Sequence, residues 1–391
     1  MRVLFVSHSS VVDVYQDKLR WIAQNSDVDL TALLPERYFE GGRIVTAHRG
    51  DGTYTVKTLK SRCSTTAKQN AWHFAWLGQT VRRLQPDIVH LEEEPESYVT
   101  HQIIRKSLAL KKRPKIVVFS WRNMTIPYDH WQWWHPKRIL QNTLQHMTLP
   151  HVDHLLVGTH ESEPLFRKVG YEGPIHVIPQ YGVNPEIYSP HAGQPGFRDK
   201  LNIPRDAIVV GFVGRVLKMK GLDVLVDAIA GLNRNNLHLV VVGRGDYTSE
   251  VRQRASSLGL SDRLHIVENV QASDIPSAMK AMDMLCIPSL TMPHWKEQFG
   301  RVIIEAMACG VPVIGSTSGE IPYVIGNAGL ICTEGSIDEL RAAIGALADS
   351  PEKRQSLSNL GLERVHTLYT NEHIASSIVN VYRSLLHKET S

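Results

Sequence analysis

Short apolar runs alternate with helical patterns through the first half of the chain. Val3–Ser7, Asp29–Leu34, Ile88–Leu91, Ile116–Phe119 and His154–Gly158 read as strands, each short and bounded by Pro, Lys or Asp. Between the first two, Leu19, Ile22 and Ala23 form part of an apolar face at helical spacing, which predicts a helix over Asp13–Gln24. Strands alternating with helices predict an α/β fold with a parallel, doubly wound sheet. Residues 179–206 hold five prolines and no sustained periodicity, the texture of an interdomain linker. The pattern then restarts. Ile208–Gly214, Leu237–Gly243, Leu264–Val267, Met284–Pro288, Val311–Gly315 and Gly329–Cys332 read as strands, Asp223–Leu232 as a helix, and Ala342–His387 as helical throughout. The prediction is two α/β domains, 1–185 and 186–365, followed by a C-terminal helical segment, 366–391.

A chain of 391 residues is long enough for two sizeable cores. Its 42% hydrophobic and 21% charged content is that of a globular protein. No stretch reaches the roughly 18 unbroken apolar residues of a membrane helix. The start, MRVLFVSHSS, has an apolar run of about five residues with His8 and Asp13 soon after, a buried strand rather than a signal peptide. Cys63, Cys286, Cys309 and Cys332 show no paired spacing, and three sit in apolar segments, which suggests buried free thiols in a reducing cytoplasm. No Cys/His spacing suits zinc and no EF-hand loop is present. The net charge of +4 hides an asymmetry: residues 1–185 carry 23 Lys and Arg against 17 Asp and Glu, the remainder 20 against 22. A basic first half suggests an anionic partner, such as a phosphorylated acceptor or an anionic membrane surface. The plain alternative is a solvated surface with no partner.

Candidate chemistry concentrates in PHWKEQFGRVIIEAMACGVP, residues 293–312. Glu297 and Glu305 stand with seven residues between them, and Phe299 and Gly300 follow the first at the start of an apolar helix. The free N–H groups and positive dipole end of a helix N-terminus suit a phosphate, and carboxylates accept hydrogen bonds from sugar hydroxyls. One segment can therefore hold both halves of a nucleotide sugar. The plain alternatives are a solvated loop acid and a helix-face acid. Lys296 and Arg301 would then be surface partners contributing about 1 kcal/mol or less. Trp295 packs beside a sugar or belongs to the core. In VGFVGRVLKMKG a strand ends at Gly214, and Arg215 and Lys220 flank the following loop. Glycine admits close backbone approach and two cations suit a diphosphate, though an ordinary loop with surface cations would read the same way. VVGRGD places Gly243 and Arg244 in a glycine turn after a strand, where open α/β sheets bind ligands. IVENV ends a further strand at Val270, whose backbone suits a nucleobase.

In this order the motifs resemble the family 4 retaining glycosyltransferases, of the two-Rossmann-domain type called GT-B. GRVLKMKG, VVGRGD, PSLTMPHWKEQFGRVIIEAMACGVPVIGS and GEIPYVI carry the resemblance across residues 208–330; it is weaker over 1–185. The resemblance implies two Rossmann-like doubly wound domains facing across a cleft, with the last helix crossing back to the first. It also implies that Arg215 and Lys220 grip the donor diphosphate, Glu297 the donor sugar hydroxyls and Glu305 the ribose, while the amides at Phe299 and Gly300 cap the phosphate. The family's mechanism is front-face attack assisted by the leaving phosphate. It needs no enzymatic nucleophile, no divalent metal and no cofactor beyond the nucleotide sugar.

Two features depart from the family. A Gly-Gly loop usually follows the first strand; here Ser9 and Ser10 occupy the nearest position. A histidine usually ends the fourth strand; here FSWRN puts Ser120 or Trp121 there, followed by Arg122. The acids of HLEEEPES follow another strand, so Glu93, Glu94 or Glu96 can orient or deprotonate an acceptor hydroxyl, unless the segment is a solvated acidic loop. His101 is a weaker candidate. Aromatics at Trp121, Tyr128, Trp131, Trp133 and Trp134 suit a sugar or a lipid surface, or simply dock a loop.

The reading is a retaining, metal-independent hexosyltransferase that moves a sugar from a nucleoside diphosphate donor, UDP- or GDP-linked, to a hydroxyl of a glycan, glycolipid or lipid-linked acceptor in polysaccharide biosynthesis. Its catalytic residues would be Glu297, Arg215, Lys220 and Glu94. It would be cytoplasmic, with a peripheral contact of the basic half to the inner membrane face and no nucleic-acid partner. The alternatives are a non-catalytic nucleotide-sugar or glycan-binding protein, or a nucleotide-sugar epimerase of the same fold. A phosphorylase would need a cofactor lysine or extra phosphate ligands, and neither is evident.

Overall fold

The computed structural model describes residues 1–40, 42–66, 69–124 and 134–387. Tyr128, Trp131 and Trp133 of the aromatic run lie outside the described residues. The chain forms two compact units: Met1–Tyr181 together with the end of the chain from Asn371, and Gly182–Thr370.

The first unit is built on seven parallel strands: β1 (Arg2–Ser7), β2 (Asp29–Pro35), β3 (Thr55–Leu59), β4 (Ile88–Glu92), β5 (Lys115–Ser120), β6 (His154–Val157) and β7 (Ile175–Val177). Their order across the sheet is β7-β6-β5-β4-β1-β2-β3. The central strands are buried on both faces, which is why they read as unbroken apolar runs. β3 and β7 lie at the two edges and mix exposed with half-buried residues, so neither produces such a run, and neither was expected. Helices α1 (Asp17–Ala23), α2 (Leu77–Leu84), α3 (Tyr98–Leu108) and α4 (Pro136–Thr148) cover this sheet. α1 is shorter than its periodicity suggests. Asp13–Gln16 forms a 3₁₀ turn, since the β-branched Val12 and Val14 disfavour an α-helical start.

The second unit holds β8 (Ile208–Val213), β9 (Leu237–Val242), β10 (Leu264–Val267), β11 (Met284–Ile287), β12 (Val313–Ser316) and β13 (Gly329–Cys332). All pair in parallel, in the order β10-β9-β8-β11-β12-β13. This is the doubly wound Rossmann order, and its direction of winding reverses between β8 and β11. Helices α5 (Leu222–Gly231) and α6 (Arg301–Ala308) follow β8 and β11. Cys286, Cys309 and Cys332 are buried free thiols in this unit, whereas Cys63 in the first is exposed.

The last helix, α7 (Asn371–His387), belongs to the first unit. Ile374, Ala375, Ile378, Val379 and Tyr382 recur at three- and four-residue spacing and are buried in that unit's core. α7 packs along α1. The Tyr382 hydroxyl meets Nδ1 of His90, in the middle of β4, at 2.6 Å. Burial and the nearby Lys18 hold His90 well below the ordinary histidine range, so the ring is neutral. Ile378→Ala is expected to destabilise the first unit by about 2–5 kcal/mol through the cavity it leaves. Limited proteolysis in urea should show the first unit opening earlier while the second is unchanged.

Candidate functional site

In the second unit the candidate residues gather at the carboxyl ends of the strands, around the reversal between β8 and β11. The loop after β8 makes a single 3₁₀ turn, Lys218–Lys220, that delivers Lys220. Its Nζ donates to Oε2 of Glu297 at 2.6 Å and lies 4.8 Å from the centre of the Trp295 ring. Ser289, just past the end of β11, donates its hydroxyl to the same Glu297 oxygen at 2.7 Å. Glu297 is 8% exposed, so it is not the solvated loop acid that its sequence context permitted. Two glycines make this geometry possible. A Cβ on Gly319, at φ +57°, would lie 1.8 Å from the Glu297 carbonyl oxygen; one on Gly243, at φ +143°, would lie 1.9 Å from that of Gly214. The loops after β8 and β9, and those after β11 and β12, therefore approach through bare backbone.

Gly300 takes a left-handed conformation, φ +70°, and starts α6. Phe299 before it is buried, its ring edge-on to Tyr369 at 5.8 Å. One turn into α6, Glu305 sits 2.9 Å from Arg301 Nε. Burial pushes the Glu305 carboxyl up, against the opposing influence of Arg301 and a hydrogen bond with Tyr188. Arg215 and Arg244 are exposed, and Gly214, Gly243 and Val270 are half-buried at the ends of β8, β9 and β10. All ten of these residues thus lie along one edge of one sheet.

In the first unit the winding reverses between β1 and β4, and the HLEEEPES acids lie at that point. They are not a solvated loop. Glu92, Glu93 and Glu96 are buried, and each has a partner. Lys18, fully buried on α1, pairs with Glu92 and donates to the Gln180 carbonyl at 2.7 Å; Gln180 in turn donates to Glu92 at 3.0 Å. Burial lowers the Lys18 pKa, and Glu92 opposes that fall. Oε1 of Glu93 accepts from the His8 backbone N–H at 2.8 Å and lies 2.7 Å from His8 Nδ1. Burial works against the imidazolium, but Glu93 leaves the His8 pKa raised on balance. Glu96 accepts from Arg122 at 2.5 Å, and the Arg122 guanidinium lies over the Phe166 ring at 5.0 Å.

Glu94 accepts from the Ser120 hydroxyl at 2.5 Å and from the Trp121 backbone N–H at 2.9 Å. Burial, then the neighbouring charge of Glu96, pushes its carboxyl up to about 7, and Arg122 and the two hydrogen bonds only partly offset this. Glu94, Ser120, Trp121, Arg122 and Glu96 therefore form one cluster, while Glu93 turns to His8. Ser9 accepts from the Tyr181 hydroxyl and lies 2.8 Å from the Ser7 hydroxyl, with no bond to that cluster among the described residues. Ser10 is buried and its hydroxyl has no partner among the described residues. His101 lies on α3, buried, with its pKa lowered by burial and by Arg105. His8, Lys18 and Gln180 had no sequence signal. Each becomes significant only through a partner more than seventy positions away. Among the described residues, no group of three or more His, Cys, Asp or Glu side chains is placed to hold a metal ion.

Comparison with known proteins bears on both units. Residues 194–364 match the family model "Glycosyl transferases group 1". A D-inositol 3-phosphate glycosyltransferase of Stackebrandtia nassauensis is 29% identical over 220 residues, 53% of this chain and 48% of that enzyme. The chain thus spans about half the length of the curated relatives it matches. Among solved structures, the sucrose-phosphate synthase of Thermosynechococcus elongatus superposes with a TM-score of 0.72 at 20% identity, covering 99% of this chain and 100% of that one. The Anabaena protein HepE in complex with UDP does so with 0.72 at 20% identity, covering 98% and 100%. At that identity the likeness establishes the fold, which is GT-B.

The buried Lys18–Glu92 pair yields a direct test. Lys18→Met strands an unpaired carboxylate in the core and is expected to cost roughly 3–5 kcal/mol. Adding Glu92→Leu should restore most of that loss in urea unfolding.

Proposed function

We propose that this chain, whose residues 194–364 match the family model "Glycosyl transferases group 1", moves a sugar from a nucleoside diphosphate donor to a hydroxyl of a glycan, glycolipid or lipid-linked acceptor. The observation that carries this reading is the meeting of Lys220, Glu297 and the start of α6 at the reversal point of one Rossmann sheet. A diphosphate is the ligand that such a combination of cation and free helical N–H groups binds. Arg215 and Lys220 offset its charge, and the backbone at Phe299 and Gly300 caps it. Lys220 released to the phosphate leaves Glu297 to accept hydrogen bonds from the donor sugar, with Ser289 holding the carboxylate in place. Glu305 accepts from the ribose. Gly214, Gly243 and Arg244 border the phosphates, and the backbone near Val270 faces the base. HepE, a fold neighbour, is described in complex with UDP and with UDP-glucose, which favours a UDP-sugar among the possible donors.

In the reaction, the bond from the sugar's anomeric carbon to the phosphate oxygen breaks, and its electron pair leaves with the nucleoside diphosphate. The acceptor hydroxyl bonds to that carbon on the same face, and its proton passes to the departing phosphate oxygen. Arg215, Lys220 and the α6 N-terminus stabilise the charge that grows there. On the acceptor, the ionised Glu94 of the first unit accepts a hydrogen bond from a hydroxyl other than the attacking one and so orients it, while Ser120 and the Trp121 amide hold Glu94 in place.

A screen of UDP-, GDP- and ADP-sugars should find one that is consumed, with retained anomeric configuration by NMR and an undiminished rate in the presence of a chelator. Glu297→Ala should lower transfer by about a hundredfold or more while the protein stays folded. Binding without turnover would point to a non-catalytic nucleotide-sugar protein, and turnover without an acceptor to an epimerase. The Glu94 pKa, raised to about 7, sets a pH dependence. Transfer should rise as the pH passes through about 7 and the carboxylate forms, and Glu94→Gln should abolish that limb. The linked stability runs the other way. The folded protein keeps this proton from about pH 4.5, where the unfolded chain loses it, up to about pH 7, so Glu94 costs stability progressively across that window.

A further inference from the structure

α4 is amphipathic in the reverse of the usual sense. Its buried face carries Gln141, Gln145 and Thr148 beside Leu144, and Gln145 accepts from Arg122 at 2.8 Å. Its outward face shows Ile139, Leu140 and Met147, between 48% and 56% exposed. The neighbouring helices extend the same surface, since α2 packs on α3 and α3 on α4. Trp76, directly before α2, is 86% exposed, and Tyr98 and Trp134, at the starts of α3 and α4, are exposed as well. Of the nine exposed large apolar side chains described in the first unit, six belong to this layer.

The charge of the layer has a single sign. α2 contributes Arg82 and Arg83, and α3 contributes Arg105 and Lys106, all exposed. The loop after α3 adds Lys111, Lys112 and Arg113. Across α2, α3, that loop and α4 the sequence has nine Lys or Arg and no Asp or Glu. Among the described residues, two cations of the loop have acid partners: Asp87 lies 3.4 Å from Lys112 and Asp153 3.4 Å from Arg113. Aromatic and aliphatic side chains set among the exposed cations Arg82, Arg83, Arg105, Lys106 and Lys111 match an anionic bilayer, where rings sit at headgroup level and cations meet lipid phosphates. A second copy of this layer would set like charges against each other, whereas a bilayer offers phosphates to the cations and an apolar boundary to the rings.

We propose that the α2–α3–α4 layer of the first unit docks on an anionic lipid surface. No described helix is long and apolar enough to cross a membrane, so the contact is peripheral. The surface is independent of the donor chemistry, and its failure would leave the reading of the second unit standing. It does favour a lipid-linked acceptor over a small soluble one.

The test is co-sedimentation of the full chain with vesicles of phosphatidylglycerol and phosphatidylcholine, compared with phosphatidylcholine alone. Binding is expected only to the anionic vesicles and should weaken as salt is raised. Each basic residue near such a surface is worth roughly a fivefold change in partitioning. The triple variant Arg82→Glu, Arg105→Glu, Lys106→Glu should therefore lose about a hundredfold or more, with its thermal unfolding unchanged. Trp76→Ala with Leu140→Ser should weaken the binding that persists at high salt. Equal pelleting with both vesicle types, or none with either, overturns the proposal. So does tighter binding to duplex DNA than to the anionic vesicles, or a lipid-free dimer in sedimentation velocity that Leu140→Glu dissociates.

Discussion

A carboxylate taken out of water needs a donor or a cation within hydrogen-bond reach, or it gives up its charge. Six glutamates at the strand ends of the two sheets satisfy that demand, each with its own partner. Glu92 has Lys18, Glu93 has His8, Glu94 has Ser120 and a backbone N–H, and Glu96 has Arg122. In the other unit Glu297 has Lys220 and Ser289, and Glu305 has Arg301. These pairings set where α1 lies, where the loop after β8 turns and how α6 begins. A shared surface acid would impose none of this, because such pairs are worth little in water.

The sheets explain why the acids gather where they do. Parallel strands send every following loop to one edge, and the reversal of winding opens that edge between β1 and β4 and between β8 and β11. His8 and Glu93 flank the first reversal, Lys220 and Ser289 the second. The pairings are also what a hydroxyl-rich, phosphate-bearing ligand would exchange for its own. Lys220 and Glu297 satisfy one another at 2.6 Å, and under the proposed function a diphosphate and a sugar would replace each for the other. Glu94 stands apart from the rest because its partners are neutral. Burial first, and then Glu96 close by, pushes its carboxyl up to about 7.

The two faces of the first unit divide in the same physical terms. Its acids are buried at the strand ends, and its cations are spread over α2, α3 and α4. Arg122 links the two, bonded to Glu96 on one side and to a glutamine of the inverted helix α4 on the other.

The sequence by itself determined the strands that are buried on both faces, the restart of the α/β pattern near residue 208 and the glutamate-bearing segment from Glu297 through Glu305 at the head of an apolar helix. These are local signals: an apolar run, a helical period, a glycine at a strand end. It did not reveal the edge strands β3 and β7, whose mixed exposed and half-buried residues make no continuous run. Nor did it separate a solvated acidic loop from a buried one at HLEEEPES. Burial is decided by what packs from elsewhere: Lys18 reaches Glu92 across 74 positions, Trp121 reaches Gln180 across 59, and Tyr382 reaches His90 across 292. His8 reads as an incidental residue after the first strand until the parallel pairing of β1 with β4 sets it against Glu93. The charge state of a buried acid depends on such distant neighbours, and only the tertiary structure brings them together.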